Sequence, residues 1–229
     1  MLGITAYPTF TVFIALLVAM VITMAILPFW IRLLKVRHIG QQVRADGPER
    51  HLVKQGTPTM GGVVILVAIA VSVLLVGRLD NATEVVGLVI VTGATLVTGM
   101  LGLVDDLAKV VKERSLGLKP WAKLVCQFTI ATVFCLCAVN LMGIAPTVDI
   151  PFVANLDLGV LTTSIPVTGG AIDIPWLYLI YVNLLMAGMS NAVNLTDGLD
   201  GLAAGCVMIV LAVMAAIAYR ADDFNSAIF

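Results

Sequence analysis

The stretch that decides the fold runs from Asn191 to Gly205 and reads Asn-Ala-Val-Asn-Leu-Thr-Asp-Gly-Leu-Asp-Gly-Leu-Ala-Ala-Gly. It places two asparagines, two aspartates and three glycines between two long apolar segments. Lipid cannot form hydrogen bonds with carboxylates or freed backbone amides, so such a segment must lie at the membrane surface or line a wet cavity. We therefore expect it to mark a functional site between two membrane-spanning helices.

Composition places the rest of the chain in the membrane as well. Of its 229 residues, 60% are hydrophobic and 12% are charged, and the mean hydropathy is +1.07, far from the balance of a soluble domain. Six apolar segments approach the length of a spanning helix, at about residues 9–34, 59–77, 85–104, 120–142, 175–193 and 201–219. The sequence predicts an all-α integral membrane protein, with residues 1–229 as a single transmembrane domain.

Basic residues predict the orientation. Six of them lie at 32–54 and five at 109–123, which leaves only Arg78 and Arg220 elsewhere. Because basic loops stay in the cytoplasm, the N-terminus is expected outside, with cytoplasmic loops at about 35–58, 105–119 and 194–200.

The segment 143–174 contains aspartates but no lysine or arginine, which suits the outside. Two parts of it rich in β-branched residues, 147–153 and 160–167, flank the turn-like sequence Asn-Leu-Asp-Leu-Gly at 155–159. This pattern predicts a small external β-hairpin in which the two parts pair across that turn.

Two polar clusters accompany the opening stretch on the predicted cytoplasmic side. The first, Lys54-Gln-Gly-Thr-Pro-Thr-Met-Gly-Gly62, can turn backbone amides and a lysine toward an anion; a flexible entry turn that permits close helix packing is the alternative. The second, Asp105-Asp-Leu-Ala-Lys109, offers carboxylates to a magnesium ion. A helical salt bridge between Asp105 and Lys109 explains the same spacing.

In the opening stretch, Asp197 and Asp200 are three residues apart, as are Asn191 and Asn194, so each pair shares a face of a helical turn. Their oxygens suit a hard cation or hydrogen bonds to a nucleotide, whereas a helix cap at Asp197 is the alternative. Lys123, just inside the fourth predicted span, can extend from there to the membrane surface.

Together the clusters predict a wet site suited to a magnesium diphosphate. Carboxylates beside lysines favour a metal that bridges protein and phosphate oxygens, whereas a purely basic patch would favour anionic lipid. The sequence contains neither a Walker loop nor a Gly-x-Ser-x-Gly elbow, so P-loop hydrolysis and serine esterase chemistry lack support. No nucleic-acid partner is predicted.

At these residues the chain resembles the phospho-N-acetylmuramoyl-pentapeptide-transferase family, within the polyprenyl-phosphate N-acetylhexosamine-1-phosphate transferases. Three motifs match in order: Gly56-Thr-Pro-Thr-Met-Gly-Gly62, Asp105-Asp-Leu-Ala-Lys109 and Asn191-Ala-Val-Asn-Leu-Thr-Asp-Gly-Leu-Asp-Gly-Leu-Ala203. The resemblance implies a ten-helix fold, of which this chain holds about six helices. It also implies magnesium-dependent transfer of phospho-N-acetylmuramoyl-pentapeptide from its UDP donor to undecaprenyl phosphate, forming the first lipid-linked peptidoglycan precursor and UMP.

The resemblance further implies where the protein works and which residues act. It places a multi-pass protein in the bacterial inner membrane with its active site facing the cytoplasm, and leaves a homodimer open. Asp105 and Asp106 would be catalytic, with Asp105 as base, orienting group or nucleophile, and Asn194 with Asp105 would bind magnesium. Substrate binding is expected at Lys54, Thr57, Lys109, Lys123, Asn191, Asp197 and Asp200.

The family's further aspartate motif and histidine-rich loop would follow Phe229. The resemblance therefore implies the N-terminal part of a longer protein, which by itself lacks transferase activity. Transfer from UDP-N-acetylglucosamine, with the same acceptor, is one alternative. A transporter or a non-catalytic membrane partner is an alternative of another class, although the polar groups cluster at the ends of the spans rather than at the midplane that transporters use.

Overall fold

The computed structural model describes residues 8–37, 39–40, 59–77, 82–112, 117–150, 154–168, 170–198 and 201–228. These ranges contain the helices α1 (Pro8–Val36), α2 (Gly62–Val76), α3 (Ala82–Val111), α4 (Pro120–Leu141), α5 (Trp176–Thr196) and α6 (Leu202–Ile228). Between α4 and α5 lie the short strands β1 (Thr147–Ile150), β2 (Ala154–Asp157), β3 (Thr162–Val167) and β4 (Gly170–Pro175). The mostly helical structure confirms the predicted fold class.

Four of the described helices, α1, α3, α4 and α5, are long and apolar enough to cross a membrane. The predicted span at 59–77 is helical and apolar but shorter, at Gly62–Val76, whereas α6 continues from its apolar part, Leu202–Ile217, to Ile228. With 15 residues, α2 rises only about 22 Å, less than the hydrocarbon core of about 30 Å. The chain is therefore a multi-pass membrane protein, and its described part contains at least four helices of full spanning length.

Several helices continue beyond the predicted ends of the spans. Helix α3 ends at Val111, so that Asp105, Asp106 and Lys109 lie on a helix rather than in the predicted loop at 105–119. Helices α1 and α5 likewise extend into the other two predicted loops. At α3 the reason is that Lys109 contacts both aspartates at helical spacing, so these charges stabilise the helix instead of ending it.

Each helix packs against its neighbours in sequence, from α1 on α2 through to α5 on α6. Small side chains fill these contacts, and the buried ones include Ala68, Ala131, Cys135, Ala138 and Ala187. Many large apolar side chains lie on the outer surface, among them Phe29 and Leu74, which are 70% and 80% exposed. Small residues inside and large apolar residues outside are typical of helices packed in lipid.

Gly99 allows a close approach between α3 and α2. A Cβ at this position would lie 2.5 Å from both methyl carbons of Leu66. We expect Gly99→Ala to lower the free energy of unfolding in detergent by about 1–3 kcal/mol through overpacking. Adding Leu66→Ala should recover part of that loss, whereas Gly93→Ala, whose Cβ would meet nothing within 4 Å, should cost little. Equal losses for Gly99→Ala and Gly93→Ala would contradict the prediction.

The strands form two antiparallel hairpins rather than the single predicted one. Strand β1 pairs with β2, and β3 pairs with β4. The presence of a small β element is confirmed, but the predicted pairing of 147–153 with 160–167 is wrong. Residues 155–157 belong to strand β2 rather than to a turn. The chain turns directly after them, where the Gly159 N–H donates to Asp157 Oδ1 at 2.7 Å and the first hairpin ends.

Asn140 of α4 fixes the second hairpin to the helices. Its Nδ2 donates to the Asp173 carbonyl at 2.9 Å, and its Oδ1 accepts from the Asp173 N–H at 2.7 Å. The hairpins therefore adjoin the C-terminal end of α4 and the start of α5. The opposite ends of these two helices carry Lys123 and Asn194.

Candidate active site

Asp105, Asp106 and Lys109 form a compact group on the last turns of α3, hereafter the acidic cluster. The Nζ of Lys109 lies 2.9 Å from Asp105 Oδ2 and 2.8 Å from Asp106 Oδ1. Asp105 is only 8% exposed, and the other two side chains are half-buried. The salt bridge that the spacing allowed is present, so one ammonium group partly neutralises two adjacent carboxylates.

The backbone that leads into α4 returns to Asp105. The Leu118 N–H donates to Asp105 Oδ1 at 2.8 Å. Gly117 lies so close to Asp105 that a Cβ at position 117 would be 2.6 Å from Asp105 Cγ. Only glycine, which has no Cβ, fits at this position. Neither residue was predicted from the sequence. Pro120 does signal a constrained entry to α4, because it holds Lys119 extended, but it does not reveal what the preceding residues contact.

Lys123 brings a second cation to the acidic cluster from another helix. It lies half-buried on the first turn of α4, and its charge acts on Asp105. The buried carboxylate thus lies in the field of Lys109 from its own helix and of Lys123 from α4. Such an arrangement balances charge within the protein and presents lysines where a phosphate could bind.

The end of α5 presents two of the predicted polar residues. Asn194, in the last turn, and Asp197, just after it, are exposed. Asp197 does cap the helix, but at the C-terminus and through its backbone N–H, which donates to the Val193 carbonyl at 3.2 Å. The chain then turns toward α6 through Gly201, whose φ of 78° favours glycine.

Asn191, in contrast, has its side-chain amide engaged within the protein. Its Nδ2 donates to Gln127 Oε1 at 3.0 Å and to the Ala187 carbonyl at 2.9 Å. Gln127 was not predicted as a site residue, although it follows Lys123 at the four-residue spacing that places both on one face of α4. Asn191 therefore connects α5 to α4 next to the predicted site.

Three of the predicted residues, Lys54, Thr57 and Asp200, lie outside the described part of the chain. The described part of the first motif is 59–62, and within it Met60 has a φ of 66°, which is unusual for a residue other than glycine. Its carbonyl accepts a hydrogen bond from Trp30 Nε1 at 3.1 Å. Helix α1 thus fixes the point where the first motif enters α2.

The described site residues offer oxygen ligands of the kind that magnesium prefers, namely the carboxylates of the acidic cluster and the amide of Asn194. Because each carboxylate oxygen can accept two hydrogen bonds, Lys109 and Leu118 leave Asp105 with further acceptor capacity. Within the described ranges, no group of three His, Cys, Asp or Glu residues could hold a metal. The donor chemistry fits a magnesium ion that takes its remaining ligands from water and phosphate oxygens, as this ion commonly does.

Two family models match the chain. Residues 88–229 match glycosyl transferase family 4, a range that contains the acidic cluster, Lys123 and the whole stretch from Asn191 to Gly205. Residues 54–66 match phospho-N-acetylmuramoyl-pentapeptide-transferase signature 1, a range that contains Lys54 and Thr57.

Relatives that align with most of the chain carry the same name as the signature. The phospho-N-acetylmuramoyl-pentapeptide-transferase of Halalkalibacterium halodurans is 40% identical over 94% of this chain and 61% of its own length. The proteins of that name from Desulfitobacterium hafniense and Corynebacterium diphtheriae are 39% and 37% identical, over 86% and 91% of this chain and 53% and 58% of their lengths. The chain thus spans between about half and three fifths of these curated relatives.

These matches confirm the family that the three motifs predicted. The model of the family covers more than half of the chain, and the signature covers the first motif. The chain belongs to glycosyl transferase family 4 and, within it, is similar to the phospho-N-acetylmuramoyl-pentapeptide-transferases.

Proposed function

We propose that the protein transfers phospho-N-acetylmuramoyl-pentapeptide from a UDP-linked donor to undecaprenyl phosphate, releasing UMP. The observation that carries this proposal is that the signature at 54–66 and the acidic cluster occur together in one protein with several membrane-spanning helices. The names of the relatives support the same reaction. The signature favours the muramoyl-pentapeptide donor over UDP-N-acetylglucosamine.

In this reaction an ionised oxygen of the lipid phosphate attacks the phosphorus that is bound to the sugar. A new P–O bond forms while the bond from that phosphorus to the UMP oxygen breaks, so UMP leaves with the electron pair. A phosphate monoester with a second pKa of about 6 is already ionised at neutral pH, so no residue has to remove a proton. The protein must instead align two anions and screen their repulsion.

The acidic cluster is suited to that alignment. Both oxygens of Asp105 already accept a hydrogen bond, from Lys109 and from the Leu118 N–H, which favours an orienting role over proton transfer or covalent attack. Asp105 and Asp106 would hold the Lys109 ammonium group at the acceptor phosphate. Lys123 would add a second cation to the same site.

The remaining predicted residues would bind the donor and the metal. A magnesium ion held by Asp105 and Asn194 would screen the charge of the diphosphate. Asp197, exposed after α5, would accept hydrogen bonds from the nucleotide together with Asp200. Lys54 and Thr57 of the signature would bind phosphate oxygens.

We place this site on the cytoplasmic face of the bacterial inner membrane, with the N-terminus outside. The basic segments 32–54 and 109–123 support this orientation. The hairpins adjoin the opposite ends of α4 and α5 from Lys123 and Asn194, as the predicted topology requires. The donor is made in water and the acceptor is a lipid, so a site at this surface can bind both.

The test measures donor binding and transfer separately, with magnesium and undecaprenyl phosphate in lipid nanodiscs. One preparation contains the 229-residue chain. The other, the fused enzyme, joins it to the remainder of the Halalkalibacterium halodurans relative that the match does not cover. We expect the fused enzyme to release UMP and form lipid-linked product at least about tenfold faster with the muramoyl-pentapeptide donor than with UDP-N-acetylglucosamine. The chain alone should bind the donor without transferring it.

Each outcome bears on a different part of the proposal. Transfer from UDP-N-acetylglucosamine only would contradict the assigned donor. Failure of both preparations to bind or transfer either donor would overturn the proposed function. Transfer by the 229-residue chain alone would support the function and would contradict only the expectation that further sequence is needed.

A further inference from the structure

Three side chains join α4 to α5 next to the candidate active site: Gln127, Ser190 and Asn191, hereafter the amide lock. Gln127 is 4% exposed, and its Nε2 donates to Ser190 Oγ at 3.1 Å. Its Oε1 accepts from Asn191 Nδ2 at 3.0 Å. The amide lock is therefore a hydrogen-bonded contact between two membrane-spanning helices.

The hydrogen-bonding capacity of Asn191 is largely used by the protein itself. An asparagine amide has two N–H donors, and here one donates to Gln127 and the other to the Ala187 carbonyl. Its Oδ1 faces Gln127 Nε2 at 3.5 Å. No donor of Asn191 remains for a substrate, which argues against the substrate contact that the motif implied.

The amide lock determines which residues of the two helices lie level with each other. Lys123 precedes Gln127 by one turn of α4, and Asn194 follows Asn191 by about one turn of α5. A second contact, from Asn183 Nδ2 to Thr132 Oγ1 at 3.2 Å, lies further along and shows that the helices are antiparallel. Extending this register by one turn brings Lys123 level with Asn194.

The apolar part of the same interface is poorly suited to define that register. It is built from small side chains such as Ala131, Cys135 and Ala187, which allow close packing in more than one alignment. Polar side chains are more selective, because sliding the helices would leave amide groups unpaired in an apolar environment.

We propose that the amide lock is a positioning device that keeps Lys123 of α4 and Asn194 of α5 at one level of the active site. Gln127 and Asn191 act through the residues one turn away and do not contact the substrate. This inference rests on the proposed function for its consequence in substrate binding, whereas the register itself is independent of it.

The register is tested by measuring the distance between spin labels on the two helices. Labels replace Trp121 and Leu195, which are 66% and 82% exposed, after the accessible cysteines are changed to alanine; these are Cys126, Cys137 and Cys206. We expect one narrow distance in this labelled parent. Gln127→Leu should broaden it or shift it by up to one helical turn, about 5.4 Å.

The matched control is Thr129→Val, which removes a hydroxyl of α4 that bonds only within its own helix, to the Val125 carbonyl. It should leave the distance unchanged. Gln127→Asn combined with Asn191→Gln restores the summed length of the pair and should restore the narrow distance. If Gln127→Leu does not fold, Asn191→Leu removes the same contact from α5. A folded variant of either kind with the parent's narrow distance would overturn the proposal.

Donor binding separates positioning from direct contact. If the amide lock acts as a unit, Gln127→Leu, Asn191→Leu and the double variant should each weaken binding of UDP-N-acetylmuramoyl-pentapeptide to the same extent, about threefold to twentyfold. If only Asn191→Leu weakens donor binding, Asn191 contacts the substrate directly and the proposal is overturned. If neither the 229-residue chain nor the fused enzyme binds the donor, the proposed function is overturned instead, and the label distance still decides the register.

Discussion

Asp105→Asn should lower the rate of UMP release by the fused enzyme about 10²- to 10³-fold while the protein remains folded. Asparagine keeps an oxygen that can accept from the Leu118 N–H, so the contact with the following backbone can persist. The substitution removes the negative charge at position 105 that attracts the Lys109 ammonium group. The ammonium group then pairs with Asp106 alone and no longer points between two carboxylates toward the acceptor phosphate.

The matched control for this loss is Asp173→Asn, the same chemical change in β4 at the other end of the bundle. It should leave the rate of UMP release unchanged. Thermal unfolding in detergent shows whether either variant has lost stability. A rate near that of the parent for folded Asp105→Asn would contradict the role assigned to the acidic cluster.

Local sequence patterns predicted the parts of the fold that depend on local forces. Apolar segments of sufficient length form helices in lipid because only a helix satisfies its backbone hydrogen bonds within one segment. The patterns failed where the ends of elements depend on particular contacts. Helix α3 continues past Asp105 because Lys109 pairs with both aspartates, and residues 155–157 form a strand because their partners are at 147–149.

The same distinction applies to the site. The spacing from Asp105 to Lys109 predicted their salt bridge, since residues four apart on a helix are neighbours. Contacts between distant residues left no such pattern. Leu118 reaches Asp105 through a backbone N–H, which any residue except proline has, and Gln127 meets Asn191 only because α4 and α5 pack together. Such partners follow from tertiary structure.

Gly117→Ala should reduce both stability and transfer, although it changes no charged side chain. The new Cβ would lie 2.6 Å from Asp105 Cγ and 2.7 Å from the Asp105 carbonyl oxygen. Rotation of a side chain cannot relieve the second contact, so the backbone at 117–118 must move away from α3. We expect a loss of about 1–3 kcal/mol in the free energy of unfolding. The Leu118 N–H should also withdraw from Asp105 Oδ1.

Gly102→Ala is the control, because it adds the same methyl group to α3 at a position where a Cβ would meet nothing within 4 Å. It should leave the rate unchanged and raise stability slightly, since alanine favours a helix by up to about 1 kcal/mol over glycine. For Gly117→Ala, the rate of UMP release per folded molecule should fall at least about tenfold, because a small displacement of an aligning group is costly. If stability falls while that rate stays at the parent's value, the Leu118 contact supports the fold but does not position Asp105 for transfer.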